Sequence, residues 1–65
     1  MPSSVIRSFA YDPAAHRLDV RFLTGRAYSY EGVPEEIAEG MRRASSKGRF
    51  FNAFIRDRFP FVRRR

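Results

Sequence analysis

Leu18, Val20 and Phe22 alternate with Asp19 and Arg21, a period of two that predicts a half-buried β-strand over 17–23. Before it, residues 4–11 are rich in β-formers, with Val5, Ile6, Phe9 and Tyr11 as candidate core positions. Strict alternation cannot seat both Ile6 and Phe9 on one face, so a bulge or twist is expected between them. Asp12-Pro13-Ala14-Ala15-His16 reads as the connecting turn. Thr24-Gly25 reads as a short hairpin loop. A third strand over 26–30 follows, with Tyr28 and Tyr30 on one face and Ala27 and Ser29 on the other.

After Val33 the period changes. Pro34 suits the first position of a helix, Glu35, Glu36 and Glu39 suit its positive end, and Arg42 and Arg43 suit its negative end. Ile37, Met41 and Ala44 make its apolar stripe. Ser45-Ser46 interrupts that helix and offers an N-cap to a second, expected from about Lys47 to Asp57. Phe50, Phe51, Phe54 and Ile55 form the second helix's apolar face, and Arg49, Asn52 and Arg56 line a different one. Phe59-Pro60 stops it near Arg58, leaving residues 61–65 as a tail. Three strands need an apolar layer on one face, and two amphipathic helices supply it. The expected fold is α+β: a three-stranded antiparallel meander followed by two helices on one sheet face, βββαα. It forms one domain over residues 1–62 with a basic tail over 63–65. The other sheet face, with Asp19, Arg21, Ala27 and Ser29, is expected to meet solvent.

Composition sharpens this. The chain has 65 residues, near the lower limit for folding without metals or disulfides, and ten aromatics (seven Phe, three Tyr) argue that a core forms nonetheless. It has no cysteine, which removes disulfides and thiolate metal sites and fits a reducing, cytoplasmic setting. No signal-peptide pattern or membrane-length apolar run is present, so no membrane role is expected.

Charge is divided unevenly. Residues 41–65 hold nine cations and one acid, a net of +8, whereas residues 1–40 hold four arginines and six acids, a net of −2. Twelve of the thirteen cations are arginine, which grips phosphate bidentately and stacks on bases. Phe50, Phe51, Phe54, Phe59 and Phe61 are set among them. Nucleic acid is the partner this pattern favours.

The sharpest local feature is Ser45-Ser46-Lys47-Gly48-Arg49 at the expected start of the second helix. Cations are misplaced at the positive end of a helix dipole, by roughly 0.3–1 kcal/mol each, and a phosphate there would engage cations, hydroxyls and free N–H groups together. The competing reading is a serine cap with both side chains in solvent. Arg49, Asn52 and Arg56 would continue such a site as a track along a phosphate backbone, with Arg42 and Arg43 beside it; the competing reading is a solvated face, or an Asn52 bonded to backbone. Tyr28 and Tyr30 suit a base-stacking platform, but their strand also needs them as core or rim residues. His16, in a turn, reads as a solvated loop residue. No nucleophile motif, carboxylate pair or metal-ligand spacing is present, so neither catalytic residues nor a cofactor are assigned.

Ile6, Tyr11-Asp12-Pro13, Tyr28-Ser29-Tyr30, Val33-Pro34, Gly48-Arg49-Phe50-Phe51-Asn52 and Ile55-Arg56 together resemble the KTSC domain. That family is named for its place at the C-terminus of some lysyl-tRNA synthetases, also occurs as stand-alone bacterial proteins, and is marked by a central Tyr-x-Tyr, here Tyr28 and Tyr30. Phe59 stands where many of its members carry tyrosine. The resemblance extends from about Ser4 to Pro60 and implies a link to RNA. The expected function is a non-catalytic module binding tRNA or another structured RNA through an arginine-rich second helix. The alternatives are a protein-interaction domain docking an acidic partner surface, or a small ribonuclease.

Overall fold

The structure, a computed structural model, describes residues 6–64. Its elements are β1 (Ile6–Asp12), β2 (Arg17–Phe22), β3 (Ala27–Glu31), α1 (Glu35–Arg43), α2 (Lys47–Phe54) and β4 (Phe61–Arg64). The strands form one antiparallel sheet in the order β1-β2-β3-β4. The α+β class stands, but the order is βββααβ, which corrects the expectation of three strands and a tail. Arg65, with Val5 and Ser4 of the expected first strand, lies outside the described residues.

The fourth strand has a physical cause. A three-stranded sheet would leave the edge of β3 unpaired beside Tyr30 and Ser29, both buried here. Phe61 pairs with Tyr30, Val62 with Ser29, Arg63 with Tyr28 and Arg64 with Ala27. Arginines along an outermost strand discourage pairing with another chain. That same composition hides the strand from a reading based on β-propensity.

The register of β1 on β2 shifts between Ile6 and Ser8, the irregularity expected from the Ile6–Phe9 spacing. Asp12 Oδ1 accepts the Ala14 N–H at 3.1 Å, and His16 takes φ 52°, closing the β1–β2 turn. In the β2–β3 hairpin Phe22 N–H donates to Arg26 O at 2.8 Å, and Gly25 N–H donates to Phe22 O at 2.9 Å with φ 94° at Gly25. The loop is thus 23–25, one residue longer than Thr24-Gly25, with glycine in the left-handed position such loops require.

Leu18, Val20, Tyr30, Val33, Met41, Phe51 and Ile55 form the buried cluster. Across β2–β3, Leu18 faces Tyr30 and Val20 faces Tyr28, and α1 and α2 close that face through Met41 and Phe51. Each fully buried aliphatic contributes about 1.5–3 kcal/mol as an upper figure. Val33 is fixed from both sides: its N–H donates to His16 O at 2.9 Å and its carbonyl accepts from Tyr11 Oη at 2.6 Å.

Four further expectations change. Pro34 is the N-cap of α1, with ψ 158°, and the helix begins one residue later. α2 ends at Phe54 rather than near Asp57: the Ile55 and Arg56 N–H groups both reach Phe51 O at 2.9 Å, and Asp57 adopts φ 62°. A continued helix would carry Arg58 one turn beyond Phe54 onto the apolar face, and unwinding there leaves it exposed. Phe54 is 49% exposed and stacks on Phe50 at 4.7 Å instead of entering the core. On the outer sheet face Ser29 is fully buried rather than solvated, because the Arg64 Nε–H donates to Ser29 Oγ at 2.7 Å and Ser29 Oγ donates to Asp19 Oδ1 at 2.5 Å.

Candidate nucleic-acid interface

The structure separates the sequence-derived candidates into two groups. The first sits at the α1–α2 corner. Ser46 is the N-cap of α2, its Oγ accepting the Arg49 N–H at 3.3 Å, and Gly48 is buried. Lys47 turns back on the preceding helix: its Nζ donates to Ala44 O at 2.6 Å and Arg42 O at 3.0 Å. The ammonium thereby sits on the carbonyls at the negative end of α1, a favourable position for a cation. Arg42 and Arg43 both pair with Glu39, at 3.2 and 3.6 Å, on the exposed side of α1. Ser45 and Arg49 are exposed.

The second group converges where α2 ends over β3 and β4. Tyr28, Tyr30, Asn52 and Arg56 line one concavity of about 390 Å³, together with Phe22, Phe51, Asp57 and Phe61. Its floor is an aromatic cluster. Phe61 meets Tyr28 edge-to-face at 5.3 Å and Tyr30 at 5.5 Å, Phe51 meets Tyr30 and Phe22 at 5.4 Å each, and Phe22 meets Tyr28 at 5.6 Å. Tyr30 is buried and Tyr28 is half-buried, so both serve the core as well as lining this concavity. Neither hydroxyl takes part in a hydrogen bond among the described residues, nor does the Asn52 amide.

Burial pushes the Tyr30 hydroxyl above the ordinary tyrosine value; the adjoining Tyr28 and Asp57 add to the rise, and the Arg56 guanidinium opposes it. Tyr30 is therefore a neutral donor at physiological pH. Burial also raises Tyr11, with Glu35, Asp12 and Glu36 contributing, but its hydroxyl is engaged at Val33.

Four members of the concavity escape sequence reasoning, which assigns Phe22 and Phe51 to the core, Phe61 to the tail and Asp57 to the helix. Arg63 likewise reads as tail. It stands opposite Tyr28 across β3–β4, and alternation puts it on the same sheet face as Phe61. The Phe61-x-Arg63 alternation is the available signal. His16 is exposed, with Nδ1 3.5 Å from Tyr11 Oη. Among the described residues, no three His, Cys, Asp or Glu side chains cluster as metal ligands would, and no helix is long and apolar enough to cross a membrane.

Exposed arginines lie on both faces of the sheet. Arg7, Arg21, Arg26, Arg49, Arg56, Arg58, Arg63 and Arg64 are exposed and have no carboxylate partner among the described residues. Arg26, Arg63 and Arg64 meet around Gly25 at one end of β3–β4. Arg56 stands at the other end of the sheet face, beside Tyr30.

Comparison with known proteins places the molecule. The KTSC domain model matches residues 2–59. The chain is 40% identical over 58 residues to a lysine–tRNA ligase of Nostoc punctiforme, covering 89% of this chain and 10% of the ligase. It is 42% identical over 60 residues to a protein of Tsukamurella paurometabola, covering 92% of this chain and 90% of that one. The crystal structure of a KTSC domain protein from Yersinia pestis superimposes with a TM-score of 0.87 at 38% identity, covering 92% of this chain and 84% of that one. The chain thus spans about a tenth of the ligases it matches and nearly the whole of the stand-alone relative. The fold, the Tyr28-Ser29-Tyr30 strand and the matches agree: the chain belongs to the KTSC domain family.

Proposed function

We propose that this domain is a non-catalytic RNA-binding module, with tRNA or another structured RNA as ligand. The observation that carries the reading is the set of eight exposed arginines with no carboxylate partner among the described residues. Cations left unpaired on a domain with net charge +6 release a polyanion's counterions on binding. Those matched lysine–tRNA ligases act on tRNA by name, which supports RNA over an acidic protein surface as the polyanion. Arg49, Arg56, Arg58 and Arg63 would contact phosphates. Lys47 would contribute less than its charge suggests, because it is already bonded to the end of α1.

Fluorescence anisotropy with total tRNA at several salt concentrations tests this. Binding should fall linearly in log affinity against log salt, by about 0.7–0.9 per phosphate neutralised. Undetectable binding at low salt would overturn it in favour of an acidic protein partner. Incubation of the same RNA followed by a denaturing gel should leave it intact, and cleavage would make the domain a nuclease.

A further inference from the structure

The concavity between the end of α2 and β3–β4 has a makeup that phosphate binding does not explain. It holds one guanidinium, Arg56, but also a carboxylate, Asp57, which repels an anion. Beside them lie an amide, Asn52, and the hydroxyls of Tyr28 and Tyr30, none of them hydrogen-bonded among the described residues. The wall includes Phe61, a large ring left 54% exposed with both tyrosines as its aromatic neighbours. A volume of about 390 Å³ lies at the small end of the range for ligand sites, about 300–1,000 Å³. The fitting occupant is flat and aromatic, neutral, and carries both donors and acceptors on its edge.

The geometry points to this concavity as a pocket for one unstacked nucleobase, held against Phe61 and the tyrosine rings and read along its edge by Asn52, Asp57 and the tyrosine hydroxyls. Single-stranded RNA is recognised in this way: bases stack on aromatic side chains and present their edges to polar groups. Arg56 and Arg63 flank the rings on the same sheet face, where the phosphates on either side of an extruded base would lie. The site rests on the RNA-binding reading for its source of bases, but its chemistry does not: a free nucleotide presents the same ring.

Asn52 makes the test direct, because it is the only carboxamide side chain in the chain, which has no glutamine and no other asparagine. Its side-chain NH2 pair in a 15N–1H spectrum is an unambiguous reporter. The probes are a short single-stranded oligoribonucleotide, an abasic ribose-phosphate oligomer of equal length, and each of the four nucleoside monophosphates. The base pocket predicts that the oligoribonucleotide moves the Asn52 NH2 signals and binds about fivefold to a hundredfold more tightly than the abasic oligomer. Phe61→Ala and Asn52→Ala should erase that difference while leaving the abasic affinity unchanged. Both positions are exposed, and thermal melts of both variants confirm folding before binding is compared.

Equal affinity for RNA and the abasic oligomer, with Asn52 unmoved, overturns the pocket and leaves RNA binding standing. Asn52 shifts with monophosphates but no affinity for the oligoribonucleotide or for total tRNA uphold the pocket for free nucleotides and overturn the RNA reading. If no probe binds, the pocket falls, and the titration with total tRNA decides the RNA-binding reading separately.

Discussion

Lys47 shows how a single side chain changes meaning once its partners are known. Placed at the start of α2, it reads as a cation on the wrong end of a dipole; placed on Ala44 O and Arg42 O, it closes the end of α1. Lys47→Ala should therefore destabilise the domain by about 1 kcal/mol, roughly 4–8 °C in a domain of this size, whereas Arg49→Ala should fall within about 0.5 kcal/mol of the parent. Thermal melts of both variants decide it; equal melting temperatures would return Lys47 to ordinary surface charge. The tyrosines make a second residue-scale prediction. Tyr30 and Tyr11 are raised above 10.0 by burial, so the folded state holds these protons more tightly than the unfolded state does. Their contribution is complete below the unfolded value and is lost as pH rises through the folded one. Melting temperature should fall from about pH 10 upward, less steeply in Tyr30→Phe than in the parent.

Gly40 is the equivalent lesson for an element. It lies inside α1, where glycine ordinarily costs about 0.5–1 kcal/mol relative to alanine. A Cβ there would stand 2.5 Å from Cζ and 2.8 Å from Cε2 of Phe50, so the missing methyl is the seat of the α2 ring. Gly40→Ala should destabilise by about 1–3 kcal/mol despite its better propensity, and adding Phe50→Leu should recover part of the loss. A double-mutant cycle by urea denaturation measures the coupling; additive effects would mean that the ring moves aside freely. The pair also shows which parts of the fold are legible in the sequence. Elements carrying a clean local signal are: the Leu18-Val20-Phe22 strand, the helix start within one residue of Pro34 and the Ser46 cap are statements about neighbours along the chain. The partnership of Gly40 with Phe50 depends on how α1 and α2 meet, which no local pattern encodes. β4 is hidden for a different reason. Its arginines read as tail, and only the need of Ser29 and Tyr30 for an edge partner makes them a strand. The candidate site divides the same way. Asn52 and Arg56 stand out by type and spacing, but Phe22, Phe61 and Arg63 reach the same face only through the sheet, and Asp57 only through the turn that ends α2.

At the scale of the molecule, β4 joins stability to charge. Its Phe61 covers Tyr28 and Tyr30 on the concave face, while Arg64 shelters Ser29 on the other and ties it to Asp19. A domain this small has little stability to spare, so truncation after Pro60 should unfold it or lower its melting temperature by about 10 °C or more, equivalent to about 2 kcal/mol. The charge role is separable. Arg58→Gln/Arg63→Gln removes two exposed guanidiniums without a carboxylate partner among the described residues and leaves the β3–β4 hydrogen bonds in place. Its melting temperature should match the parent within a few degrees, since surface changes of this kind stay within about 0.5 kcal/mol. Its RNA affinity should fall, and the slope of log affinity against log salt should flatten by about 1 for each phosphate that is no longer neutralised. Truncation that leaves melting unchanged would reduce β4 to a tail. A double variant that binds RNA with the parent's slope would remove Arg58 and Arg63 from the interface and confine phosphate binding to arginines elsewhere on the surface.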